Sequence, residues 1–137
     1  MEITDIPFAR TIGLKKSTDG VLVLGFDDDV MNHLQTIAAA AQFSLAELAS
    51  GDYLMQAFPE LIDEVVPVLR DSRLKYKRPA NSRISAYASS TDKDIAKFRE
   101  QYARKGRGLV SVHVDVKDAG GKVVSAGSFS WYIQKIC

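Results

Sequence analysis

NHLQTIAAAAQFSLAELASG, residues 32–51, decides how this chain is read. Alanine and other apolar residues fill it, and its one carboxylate is Glu47. A helix that is apolar nearly all round contacts protein on most of its circumference, and small side chains let a sheet approach closely. At 100° per residue, Thr36, Ala40, Glu47 and Ser50 project within about one quarter of the helix, flanked by Phe43 and Ser44. Small and hydroxylated residues around one acid leave room for a ligand or a water. The alternatives at this point are a working acid in a cavity and an acid on a solvated edge.

Working outward, DIPFARTIGL (5–14) reads as a short helical or irregular lead-in, with Pro7 suited to a first turn and Gly13 to a stop. GVLVLGF (20–26) reads as a strand. Gly51-Asp52 offers a C-terminal stop for the long helix, although YLMQAFPELID extends the pattern as far as Pro59. Residues 63–80 read as a strand with an irregularity at Pro67, and RISAYAS (83–89) as the next. Thr91 opens a helix over 91–105 in the manner of a capping box, with Ile95, Phe98 and Tyr102 on one stripe and Gly106 as its end. In LVSVHVDV (109–116) valines alternate with polar residues, and DAGG (118–121) turns the chain into KVVSAGSFSWYIQK, an antiparallel hairpin. In its second strand Phe129 and Trp131 share a face with Val123 and Ile133.

One long helix followed by a meander of strands favours an α+β layer fold in a single domain, residues 1–137. With 137 residues, 46% hydrophobic and 26% charged, the chain is long enough to bury a core without staples. The single cysteine is Cys137, so no internal disulfide forms, which favours a reducing compartment. MEITDIPFAR has no signal-peptide layout, no apolar run reaches membrane-span length, and the expected location is the cytoplasm. A net charge of +1 argues against nucleic acid as partner. No His/Cys cluster has metal-ligand spacing.

The start of the long helix supplies a second chemical element. Unpaired backbone N–H groups and a partial positive charge at a first turn hold an oxyanion without any side chain. Asn32 and Thr36 are both credible N-caps there.

The pattern N-x-x-x-T-x-A-A-A-x-x-x-x-L-A-E, with Glu47 fifteen positions after Asn32, resembles a motif of the hotdog-fold acyl-CoA thioesterases, in their phenylacetate-pathway and YiiD-like groups. PFARTIGL, LKYKRPA and GRGLVSVHVDVKDAGGKVVSAG are similar to phrases of the same family, so the resemblance covers most of the chain except 91–105. It implies a hotdog fold, a curved antiparallel β-sheet wrapped around a central α-helix, here with a helical insertion before the last two strands. It implies a homodimer or homotetramer with the site between subunits, where acyl-CoA or another acyl thioester binds. Where the family often carries Gly, His, Gly and Gly, this chain has Gln35, Ala38, Ala39 and Ala40.

The expected activity is thioester hydrolysis. Glu47 acts as general base or nucleophile, Asn32 orients water or carbonyl, and the amides of Ala39 and Ala40, near Thr36, hold the oxyanion. Lys77, Arg78, Lys105 and Arg107 are the candidates for CoA phosphate, chosen from two basic clusters because they flank turns. No metal and no cofactor beyond the CoA of the substrate is expected. Two other readings remain open. A module that binds acyl thioesters without cleaving them is suggested by the alanines. A hydroxyacyl-thioester dehydratase is suggested by His33, fourteen residues before Glu47. His113, on a polar strand face, is read as solvated.

Overall fold

The structure, a computed structural model, describes residues 2–136, so Cys137 and the disulfide argument lie outside the described residues. Six strands form one antiparallel sheet in the order β1-β2-β4-β5-β6-β3. They are β1 (Lys15–Lys16), β2 (Leu22–Leu24), β3 (Val65–Tyr76), β4 (Ile84–Ser89), β5 (Arg107–Lys117) and β6 (Val123–Lys135). Helix α1 (Pro7–Thr11) precedes them, α2 (Ala39–Ala57) lies against the inner face of the sheet, and α3 (Asp92–Lys105) joins β4 to β5. This is the α+β architecture expected, a sheet wrapped on one long helix.

The sequence pattern explains the core. Val110, Val112, Val114 and Val116 of β5 are all buried and face α2, as a period of two requires. Leu45, Ala46, Leu48 and Ala49 of α2 meet them with short side chains, so helix and sheet pack closely. Register carries the inner face from β5 to Phe129, Trp131 and Ile133 of β6. A bulge opposite Val116/Lys117 interrupts it, and Val124, fully buried, takes the core position expected for Val123.

Two corrections concern α2. It begins at Ala39, not in the early thirties, and it passes Gly51 to end at Ala57, just before Pro59. Asn32 and Thr36 do not cap it. The Asn32 carboxamide oxygen accepts from the N–H groups of Leu34 (2.9 Å) and Thr36 (3.1 Å), and its Nδ2 donates to Thr36 Oγ1 (2.8 Å). These bonds stabilise a closed turn that competes with helix over the same residues. Gln35 sits in that turn at φ 62°, the left-handed region that favours glycine. Gly51 lies inside the helix, and Trp131 packs where its side chain would point, at 3.5 Å from an added Cβ.

Helix α3 has the boundaries its sequence predicts. Thr91 accepts from the Asp94 N–H (3.0 Å), and Gly106 closes the helix at φ 71°. Strand β3 pairs with β6 along one side, and among the described residues no strand covers its other edge.

Candidate active site at the central helix

Glu47 projects from the middle of α2 and is half-buried. Among the described residues no hydrogen bond or ion pair reaches its carboxylate. Burial alone pushes its pKa up from the ordinary 4.5, because a charge loses water there and gains no partner. The neighbouring acid Asp52 behaves differently. It is buried but lies 3.5 Å from Lys16 Nζ and accepts from Gln56 Nε2 at 3.0 Å. Asp52 is satisfied structurally, whereas Glu47 is held without compensation, the condition in which a carboxylate is poised to take a proton.

The backbone below Glu47 is tied to the sheet. Ser50 Oγ donates to the Glu47 carbonyl oxygen (2.7 Å) and accepts from Trp131 Nε1 (2.9 Å). Ser50 is fully buried, so this two-bond link fixes the helix turn that carries the acid against β6. Phe43, one turn earlier on the same side, packs on Phe129 at 5.5 Å.

The opening turn of α2 borders a separate cleft of about 530 Å³, lined by Asn32, Thr36, Ala39, Tyr76, Lys77 and Arg78 among others. The N–H groups of Ala39 and Ala40 meet no acceptor among the described residues, and both residues are exposed. They are free donors at the positive end of a nineteen-residue helix. Tyr76 donates its hydroxyl to the Ala39 carbonyl oxygen (3.2 Å), and burial raises its pKa. Gln42 is 4% exposed and donates to the Ile37 carbonyl (3.2 Å), while its Oε1 has no partner among the described residues.

The expected site residues therefore fall into groups. Asn32, Thr36, Ala39, Lys77 and Arg78 come together at one cleft, and Ala40 adjoins it in the same turn. The Asn32 side chain is largely engaged in shaping its own turn. Glu47 lies two helical turns further on. Lys105 and Arg107 are at the far end of the sheet: Arg107 pairs with Gln134, whereas Lys77 donates to Val124, about 30 Å away along β6. His33 is exposed in the turn before α2. His113 is exposed, with Nε2 3.0 Å from Asp115 Oδ1. The links made by Trp131 and Tyr76 join positions far apart in the chain and had no local signal. Among the described residues no group of His, Cys, Asp and Glu is arranged to hold a metal. Among the described residues no helix is long and apolar enough to cross a membrane.

Residues 6–133 match the family model described as "Domain of unknown function (DUF4442)". The chain belongs to that family. Among solved structures it is similar to Pseudomonas aeruginosa PA5026, described as a "Probable Thioesterase", at 22% identity and TM-score 0.83 over 98% of this chain and 91% of that one. Thioesterase HI1161 from Haemophilus influenzae matches at 12% identity and TM-score 0.70, covering 97% and 86%. Bacillus halodurans BH2602, solved with CoA, matches at 18% identity and TM-score 0.69, covering 89% and 72%. No curated protein sequence matches the chain. These structures agree with the hotdog fold that the sequence resemblance implies.

Proposed function

We propose that this DUF4442 protein hydrolyses acyl thioesters of CoA, with Glu47 as the reacting carboxylate and the α2 opening amides as the oxyanion hole. The observation that carries the reading is Glu47 itself, a desolvated, unpartnered acid on an otherwise apolar helix that starts with free N–H donors. The likeness to proteins described as thioesterases, one of them solved with CoA, supports the substrate class.

As general base, Glu47 takes a proton from water while the water oxygen bonds to the thioester carbon. The carbonyl oxygen becomes an oxyanion facing the Ala39 and Ala40 N–H groups. The C–S bond then breaks, the CoA thiolate receives the proton, and the acid is released. As nucleophile, Glu47 would instead bond to the carbonyl carbon, expel CoA thiolate and leave an anhydride for water to open. Lys77 and Arg78 beside the cleft suit the CoA phosphates, and the Asn32 turn positions the amides. Lys105 and Arg107 serve phosphate in this scheme only through a neighbouring copy.

A homodimer completes the arrangement. Ala39 and Glu47 are eight residues apart, about 12 Å along the helix axis. One carbonyl group needs its donor and its base each within about 3 Å of adjacent atoms. In this reading a second copy sits against the β3 edge, where Val66 and Val68 are 50% and 48% exposed, and the amides of one chain serve the acid of the other. The test is free-thiol release from a panel of acyl-CoAs by wild type, Glu47→Gln and Glu47→Ala. Turnover by wild type that both variants abolish supports the reading. Turnover unchanged in the variants removes Glu47 from the chemistry, and acyl-CoA binding without thiol release by wild type favours a binding module instead.

A further inference from the structure

We propose that the apolar cavity one turn beyond Glu47 takes the hydrocarbon end of a medium-length acyl chain, and that α3 sets the depth of that cavity. The proposal rests on the thioesterase reading for the identity of the head group, but the cavity is an independent feature of the fold.

The cavity encloses about 310 Å³ between the second half of α2, β6, the start of β3 and the N-terminal segment. Gly51 and Leu54 line it from α2, within about 40° of Glu47 around the helix, and Phe58 lines it just past the helix end. The stripe that presents the acid therefore continues straight into the cavity. Gly51 is four residues from Glu47, about 6 Å along the axis, and Trp131 packs over it at ordinary contact distance. No residue lining the cavity carries a charge, and the indole N–H of Trp131 is already donated to Ser50. Such a lining offers a ligand dispersion contacts and burial, so it selects hydrocarbon over polar groups.

Volume limits the length. A dry cavity of about 150 Å³ holds benzene, or roughly 25 Å³ per carbon, so 310 Å³ has room for about twelve carbons. Ile62, 44% exposed, marks a mouth where water takes part of the space. About eight to twelve carbons is the range that fits.

Helix α3 does not line this cavity. It backs the wall. The segment from Phe58 to Val65 forms one side, and three residues of α3 hold that segment. Phe98, fully buried, meets the Phe58 ring edge-on at 5.1 Å. Arg99 lies 4.7 Å over the same ring and 2.9 Å from Glu60 Oε1. Tyr102 donates to Glu64 Oε1 at 2.8 Å, and burial with that carboxylate pushes its pKa up to about 12. Helix α3 thus becomes the brace of the cavity's end.

The experiment has two arms. In the first, thiol release is measured for acyl-CoAs from acetyl to palmitoyl. With wild type, kcat/KM rises roughly fourfold per added carbon while methylenes are being buried, then levels or falls beyond about twelve carbons. Met55→Trp and the milder Gly51→Ala, whose Cβ makes ordinary contact with Trp131, shift the optimum to shorter chains. Arg99→Ala combined with Tyr102→Phe loosens the wall and shifts it to longer ones. In the second arm, decanoyl-CoA and butanoyl-CoA are titrated calorimetrically into the Glu47→Gln protein. Decanoyl-CoA binding at least about tenfold more tightly, with the difference reduced by Met55→Trp, supports the cavity even if no thioester is hydrolysed. Equal affinities, or a preference that neither filling variant alters, overturn it. Loss of hydrolysis at every length with chain-dependent binding intact would count against the thioesterase reading alone. If the cavity is instead filled by a second copy of the chain, both acyl-CoAs bind alike and the filling variants change the oligomeric state.

Discussion

Removing the Ser50 hydroxyl tests how the acid-bearing turn is held. Ser50 is fully buried, accepts from Trp131 Nε1 at 2.9 Å and donates to the Glu47 carbonyl at 2.7 Å. Ser50→Ala loses both bonds and leaves the indole N–H without its acceptor. A buried polar group stripped of its partner costs about 1–3 kcal/mol. Trp131 is only partly buried, so water recovers some of that loss, and about 1.5–2 kcal/mol is expected. Trp131→Phe keeps the ring's bulk on Gly51 but removes the donor. Its cost includes lost contact area and is expected at about 1–2 kcal/mol. In the double variant no donor is orphaned, so the two costs should fall short of their sum by about 1 kcal/mol. Urea unfolding of the four proteins closes the cycle. For a domain of this size each kcal/mol moves Tm by about 3–5 °C, which thermal melts resolve. Additivity within about 0.3–0.5 kcal/mol would mean that the two side chains do not act as a pair, refuting the claim that this link positions the turn.

Three further outcomes follow from named contacts. Glu47→Gln should stabilise the fold at neutral pH by about 0.5–2 kcal/mol. The folded-state pKa of Glu47 is raised, so its favourable contribution is complete below the unfolded value near 4.5 and disappears as pH rises through the folded value. The variant's advantage should therefore grow with pH across that window, and a pH-independent difference would contradict it. Gln35→Gly, relieving a left-handed side-chain residue, should add about 0.5–1 kcal/mol in urea unfolding, whereas a loss would mean that the turn is not strained. Gly127→Ala should cost about 3 kcal/mol or more, since its Cβ would fall 1.8 Å from the Arg73 carbonyl oxygen and force β3 from β6; a near-neutral melt would refute that close approach.

What the sequence made legible depends on how local each signal is. Helix α3 could be bounded because Thr91, Asp94 and Gly106 determine its ends within the segment itself. The β5–β6 hairpin was legible for a similar reason: the alternation of Val110 to Val116 and the Asp118 turn, whose side chain accepts from Gly120 and Lys122, are short-range. The start of α2 was misplaced because Asn32 and Thr36 are good caps that instead bond each other. The real N-cap, Ala38, offers no side-chain acceptor and hence no signal. Glu47 stood out as a lone acid. Its environment did not, because Trp131, which ties down the next turn through Ser50, comes from a distant part of the chain. Asp52, close by in sequence, differs from Glu47 only through Lys16 and Gln56, the former thirty-six residues away.

The central claim is that the acid of one copy and the opening amides of another act on one thioester. Ala39→Pro offers a clean removal of the donor: Ala39 is the first helical residue, its N–H is unpaired, and Ala38 is already extended at φ −59°, ψ 146°, as a residue before proline should be. Alone, Ala39→Pro should lower kcat by about 10²–10³ without loss of stability. Mixing it by co-refolding with Glu47→Gln makes hybrid dimers, and thiol release from an acyl-CoA should recover to about a quarter of wild type, because half of the dimers carry one intact site of two. Activity of the mixture no higher than that of the two variants measured separately would contradict the account.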